Sequence, residues 1–352
     1  MDSGTFRRSV IPALIGAGIC LFFQRSGVLT LFFLVPLGVV AFRYNYRIAW
    51  IAVLAAVLGN VILTVETAVY RSVPVADTFW DLLYFSVMVS LFTWITAPPP
   101  VLSRVSGAMR LMIASCAGAL LFTGIFFRLM AAPGFSEYLN SLINTLSSFY
   151  RSSGGAGGAD VVQNALLESL TPDAVLNFMK TVMLRGGSLV FCVFMFFICR
   201  QVSFFIGRLT LGNRFAGEKR MSSARASSLV FFHVYPAIIW FFSVSLLLVV
   251  LSRMAKLEIP EIILWNILIF CAILYFAQGF GILLFLLARP SMPPSLRLLL
   301  SILFIIMVFS PGINAVLLGG VVLLGIAENW VPFRAPIVNG PPSTPGAGDV
   351  GN

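Results

Sequence analysis

Charge is scarce in this chain. Of its 352 residues only 10% are Asp, Glu, Lys or Arg, against roughly a quarter in an ordinary soluble domain. So few charged side chains cannot cover a water-facing surface of the usual kind. Histidine is scarcer still, with His233 the sole one. No Cys or acid stands near it at ligand spacing, which argues against a zinc site, so no metal is expected; in FFHVYP it reads as a packed interfacial histidine. The five cysteines (Cys20, Cys116, Cys192, Cys199 and Cys271) show no CxxC spacing and all fall in apolar runs. There a thiol acts as a small apolar group, so redox and metal roles drop out. Missing too are GxxxxGK[ST] and GxSxG, which excludes a P-loop and a nucleophile elbow. The chain therefore reads as a non-enzyme without a cofactor. Its apolar runs also lack the alternation of barrel strands.

What is present is long hydrophobic segments. Hydrophobic residues make up 59% of the chain, and its mean hydropathy is +0.98. Inside a bilayer the backbone must satisfy its own hydrogen bonds, so such segments are helices. The expected class is all-α, a polytopic membrane bundle of eight to ten transmembrane helices spanning residues 1–334 as a single domain. The lipid bilayer is its first partner. A net charge of +10 could suggest nucleic acid, but the basic residues sit in loops between apolar runs. That is the positive-inside pattern, and a nucleic-acid partner is rejected.

Ten segments follow in order. The first runs from Ser9 to Phe23 behind Arg7-Arg8, with no A-x-A-like cleavage site, and is expected to be a retained helix. Val28–Phe42 is the second, followed by the basic-aromatic turn RYNYR. Ile48–Thr64 and Phe79–Thr96 are the third and fourth, the latter stopped by Ala97-Pro-Pro-Pro100. The fifth spans Ala108 to Met130. Residues 131 to 183 form the long polar excursion. In it Phe135, Leu139, Leu142, Ile143, Leu146 and Phe149 share one helical face. GGAGG is a linker, a second helix covers 161 to 170, and Thr171-Pro172-Asp173 starts a third that continues into Gly186–Gly207. These helices either lie on the membrane surface or cover a pocket. Leu229–Leu251 and Ile262–Leu287 come next. The last two segments, Leu298–Ser310 and Asn314–Ala327, are short enough to be re-entrant around Pro311-Gly312. The tail, 335–352, is rich in Pro and Gly and reads as disordered.

With ten crossings and both ends cytoplasmic, the inner side holds 15 of the 23 Lys+Arg and 4 of the 13 Asp+Glu. The opposite orientation would reverse that balance, so both termini are expected inside and the excursion outside. Polar residues within spans are the remaining clues. Asn60 and Glu66 sit at the outer end of the third span and Asp77 and Asp81 at the outer end of the fourth, where Glu66, Asp77 and Asp81 read as solvated ends. Asn266 and Gln278 lie on the eighth helix, with Gly279 allowing close backbone approach. Asn314 follows the Pro311-Gly312 break, where freed backbone groups can bind a ligand or water. These four are the candidate ligand-binding residues. The competing reading makes the amides interhelical glue.

At the Gln278-Gly279 block and the ending LLGIAENWVPFR the chain resembles the YybS-like family of predicted bacterial membrane proteins, a domain of unknown function. The resemblance covers about residues 5 to 334. Glu328 stands where the family pattern has Asp, and Pro332 interrupts the segment before Phe333-Arg334; the Gly-rich linker is a further departure. The family's N-terminal part is similar to the substrate-binding components of energy-coupling-factor transporters, which present an AxxxA face on their first helix to a coupling subunit. Ala13 and Ala17 have that spacing and are the candidate partner-binding residues. The resemblance implies a bacterial inner-membrane protein that binds or takes up a small molecule together with other membrane subunits. A scaffold in envelope or cell-division machinery is the alternative.

Overall fold

Prolines and glycines set where the apolar runs bend, and helices fill the intervals. The computed structural model of the protein describes residues 3–27, 29–71, 75–102, 105, 107–132, 134–153, 171–211, 230, 232–287, 293–310 and 313–334. They contain α1 (Ser3–Arg25), α2 (Val35–Arg43), α3 (Tyr46–Arg71), α4 (Val75–Thr96), α5 (Gly107–Met130) and α6 (Phe135–Ser153). After these come α7 (Pro172–Val182), α8 (Ser188–Leu211), α9 (Ile238–Met254), α10 (Glu258–Leu287), α11 (Pro294–Phe309) and α12 (Ile313–Ala327). Among the described residues there is no strand, and the fold is all-α. Five stretches are long and apolar enough to cross a bilayer: Tyr46–Tyr70, Thr78–Thr96, Gly107–Met130, Asp173–Gly207 and Pro260–Leu287. Five shorter apolar helices accompany them, at Val10–Arg25, Thr30–Arg43, Ile238–Met254, Pro294–Phe304 and Ile313–Ala327. The protein is a multi-pass helical membrane protein. Its many exposed Leu, Ile, Val and Phe side chains are what a lipid-facing surface requires.

Where the hydropathy reads as one domain, the chain divides into two compact units. Unit 1 is Met1–Ser227 with Val244–Phe270, and unit 2 is Ser228–Ser243 with Cys271–Asn352. The helices α9 and α10 each contribute residues to both, so no dip in hydropathy marks the division.

In unit 1, α1 and α3 run parallel. Arg25 at the end of α1 donates to Thr67 (3.2 Å) and Thr64 (3.5 Å) near the end of α3. A Cβ on Gly59 of α3 would lie 2.6 Å from Leu21. The chain between two parallel helices must return, and it does so through a 3-10 turn, Thr30–Phe32, and α2. At nine residues α2 is only about 14 Å long. Val28–Phe42 is therefore not the continuous span that its hydropathy predicts. Pro36 in the first turn of α2 fits, because proline lacks an N–H and suits a helix start. Phe33, Leu34, Val35, Leu37, Val40 and Ala41 are all buried. Gly38 lets α8 approach: an added Cβ would sit 2.2 Å from Ser203 Oγ, which lies 3.0 Å from the Val35 carbonyl. Phe85, Met88 and Phe92 of α4 form the core with Cys192 and Phe196 of α8. Close packing of this kind, with small residues at the crossings, is what holds helices together in lipid, where apolar transfer gains nothing.

The polar excursion opens with α6, whose Leu139 is buried and whose Glu137, Asn140, Ser141, Asn144, Thr145 and Ser148 line the opposite, open face. The GGAGG linker and the helix expected over 161 to 170 lie outside the described residues. Thr171 caps α7 as its sequence predicts, its Oγ1 accepting from Ala174 N at 3.3 Å. Continuation into the next span is not smooth. At Met183–Gly187 the helix breaks through a π turn, with Arg185 at φ −89°, ψ 34° and Gly186 at φ 97°. Glycine alone takes that φ readily, and a Cβ there would also meet Ile269 at 2.6 Å.

Unit 2 begins with a non-helical stretch, residues 232–235, so α9 starts at Ile238 and not at Leu229. Pro236 explains the shift, since the residue before a proline avoids the helical region. The helices α10 and α12 cross closely. A Cβ on Gly279 would fall 1.9 Å from the Val321 carbonyl, and one on Gly325 would fall 2.0 Å from the Tyr275 carbonyl. The close neighbour of Gly279 is thus Val321–Gly325, further along α12 than the start of that helix. Pro311-Gly312 and the tail from 335 lie outside the described residues.

Candidate functional site

Non-helical backbone at membrane depth survives only where protein supplies its hydrogen bonds. In unit 2 the stretch before α9 is served by two side chains from distant parts of the sequence. Gln278 is fully buried on α10; its Oε1 accepts from Val234 N at 2.7 Å and its Nε2 donates to Glu328 Oε2 at 2.9 Å. Arg334 donates to the carbonyls of Val230 and Phe232 (3.0 Å to the latter), to the Gln278 carbonyl (3.0 Å) and to Glu328 Oε2 (2.9 Å). The Glu328 side chain is 5% exposed and that of Arg334 14%, so this ion pair is shielded from water. His233, half-exposed, brings Nδ1 to 3.7 Å from the same carboxylate oxygen. Both ends of the Gln278 amide are engaged within the fold. Chemically the cluster is a clamp that fastens Val230, Phe232 and Val234, together with Glu328 and Arg334, to α10. Asn314, at the start of α12, donates its backbone N–H to Ser310 O.

Asn266 lies about 18 Å along α10 from Gln278 by helical rise and belongs to unit 1. Its Nδ2 donates to the Leu184 carbonyl at 2.6 Å and to Ile262 O at 2.9 Å. Leu184 sits in the π break, where a backbone carbonyl loses its helical partner, and Asn266 replaces that partner. Arg185 beside it pairs with Glu261 at 3.2 Å, and Trp265 Nε1 donates to the same Glu261 oxygen at 3.3 Å. The two amides expected on one inward face therefore serve separate repairs in separate units.

The proposed docking face on α1 meets a correction. Ala13 and Ala17 are 0% and 3% exposed, with α1 packed on α2 and α3. A Cβ on the intervening Gly16 would lie 2.6 Å from Val40 Cγ2. The small residues admit the chain's own helices, and that face is occupied.

Unit 1 holds a different site, to which Asn60 and Asp81, polar groups expected at the outer ends of the third and fourth spans, both contribute. A partly open cavity of about 260 Å³ is lined by Gln24, Arg25, Asn60, Thr64, Thr67, Ala68, Thr78 and Asp81. Its wall on α3 is a stripe at i, i+4, i+7 and i+8, polar through Asn60, Thr64 and Thr67 and closed by Ala68, which one helical face supplies. That spacing is legible in the sequence, but the contributions of α1 and α4 are not. Asn60 is 1% exposed and Thr64 9%. Neither Asn60 Nδ2 nor Gln24 Oε1 has a hydrogen-bond partner, although both atoms are buried. An unmatched buried polar atom costs about 1–3 kcal/mol, so the cavity wall carries unspent bonding capacity. Arg25 is held at the rim by the two threonine hydroxyls. Arg128, near the end of α5, stacks over Trp80 of α4 at 5.6 Å. The cavity thus lies at the end of unit 1 from which α6 departs. Glu66, exposed on α3, does not line it.

No protein-family model, curated protein or solved structure matches this chain.

Proposed function

We propose that this protein is a small-molecule-binding component of an uptake system in a bacterial inner membrane, non-catalytic itself and dependent on partner subunits for energy. The observation that carries the reading is the polar cavity between α1, α3 and α4. Polar and charged groups at a cavity within apolar spans mark a substrate path more often than a packing element. The cavity lies toward the end where amphipathic α6 departs, which suits α6 and α7 as its cover. Charge balance supports both termini in the cytoplasm and residues 131 to 183 outside, so the cavity faces outward. The resemblance to the YybS-like family and, through it, to energy-coupling-factor binding components agrees with this role, with the coupling face lying elsewhere than at the buried Ala13 and Ala17.

A scaffold of envelope or division machinery would have no use for an accessible cavity. Cysteine in place of Thr67, in a chain otherwise free of cysteine, separates the two readings. An impermeant thiol reagent should modify it in intact cells, at a rate well above that of a cysteine at Ser115, which is 0% exposed. Modification confined to inverted vesicles would reverse the orientation. Absence of modification from either side would make the cavity a sealed void and favour the scaffold.

A further inference from the structure

We infer that unit 1 holds a phosphate-binding site between Arg110 of α5 and Arg200 of α8, separate from the cavity and independent of its reading. Contacts along the two helices fix an antiparallel register. Thr123 Oγ1 donates to Ser188 Oγ at 2.7 Å, and Phe122 stacks on Phe191 at 4.9 Å. A Cβ on Gly118 would lie 3.5 Å from Cys192 Sγ and from Phe196. Arg110 stands as far before Gly118 as Arg200 stands after Cys192. The register therefore sets the two arginines at one level, and their like charges act on one another.

Both arginines are partly buried. Arg110 Nη1 reaches the Trp94 carbonyl at 3.5 Å, while its Nε is buried without an acceptor. Among the described residues no ion pair joins either guanidinium to a carboxylate. A charge within a span is costly and is found with a partner; two cations side by side raise that cost. An anion accepting from both removes it. A phosphate group has oxygens on several corners, so it can take short, charge-assisted bonds from two planar forks at once. Depth favours the same group. Arg110 lies only about 4.5 Å along α5 from its start by helical rise. The neighbouring Ala41–Ala49–Ala97 cluster carries Tyr46, and tyrosines of this kind mark the headgroup level. Basic pockets between spans at that level suit lipid phosphates.

The test uses the full chain in detergent freed of lipid, followed by native mass spectrometry and by melting. Phosphatidylglycerol should appear as a bound lipid and raise the melting temperature. Diacylglycerol with the same acyl chains should do neither. Inorganic phosphate separates the two sources of the group: a rise with phosphate assigns the site to free phosphate, and a rise with the lipid alone assigns it to a headgroup. Arg200→Gln should weaken the binding about ten- to a hundredfold, as the loss of a charged hydrogen bond does. Without lipid or phosphate the same variant should melt at or above the parent, because it relieves a repulsion. A lower melt would make Arg200 a packing residue and overturn the site. Arg47→Gln, exposed in the nearby basic turn, should change binding by about twofold at most. A loss there equal to that of Arg200→Gln would replace the site with diffuse surface attraction. Binding of neither phosphate probe, or equal binding of diacylglycerol, would also overturn the assignment.

Discussion

Arg334→Met should be among the most damaging single changes in unit 2, and its cost can be worked from contacts. The guanidinium donates to Glu328 Oε2 at 2.9 Å and to three backbone carbonyls, those of Val230, Phe232 and Gln278. Methionine keeps the stem and removes every donor. Glu328 is then left with its side chain 5% exposed, its remaining polar neighbours being the Gln278 amide at 2.9 Å and His233 Nδ1 at 3.7 Å. Breaking a buried ion pair from one side costs about 3–5 kcal/mol. The Val230 and Phe232 carbonyls have no helix to return to and add to that figure, reduced where water reaches them. Converting Glu328 to Leu as well removes the stranded charge. The double variant should therefore be more stable than Arg334→Met alone by about 2 kcal/mol, with the orphaned carbonyls and a Gln278 Nε2 deprived of its Glu328 acceptor as the remaining loss. Reversible SDS unfolding in bicelles, followed by tryptophan fluorescence, measures both. Lys256→Met, at an exposed turn, should stay within about 0.5 kcal/mol of the parent. A loss below about 1 kcal/mol for Arg334→Met, or a double variant as unstable as the sum of the singles, would refute the clamp.

Three further outcomes follow from the packing. Alanine at Gly279 or Gly325 must push α10 and α12 apart, because its Cβ would lie about 2 Å from a carbonyl; thermal melts should drop by the equivalent of about 1–3 kcal/mol, and an unchanged melt would show that the helices do not cross there. Asn266→Leu exposes the Leu184 carbonyl at the π break and should cost about 1–2 kcal/mol while increasing hydrogen exchange around residues 183–187, an effect that would be absent if the amide were a ligand group only. Leucine at both Ala13 and Ala17 should lower the yield of folded protein in detergent, since both positions are filled by neighbouring helices. A monodisperse, normally melting double variant would restore that face as a docking surface.

Some features were legible residue by residue. Thr171-Pro172-Asp173 announced the start of α7 because cap, proline and acid act on the local backbone, and α6 showed its apolar face through the spacing of Phe135, Leu139 and Leu142, although only Leu139 of the three is buried and Leu142 is exposed. Gln278 could be expected to face protein, since an amide in mid-span must find a partner. Which partner it found was not legible: Val234 and Glu328 stand 44 and 50 residues away, and no local rule carries information over that separation. Asn266 read as the twin of Gln278, yet it repairs a helix break made by Gly186 some 80 residues earlier. The AxxxA pair on α1 shows the same limit, for small residues permit close packing without saying whose helix arrives. The cavity followed suit, its Asn60–Thr64–Thr67 stripe visible on one helix and its closing walls not. Sequence alone determined the membrane setting, the all-α class and most helix positions, because burying a backbone in lipid and capping a helix are local demands. Tertiary structure alone decided which helices meet, which polar atoms are satisfied and which are left over, because those depend on contacts between segments far apart in the chain.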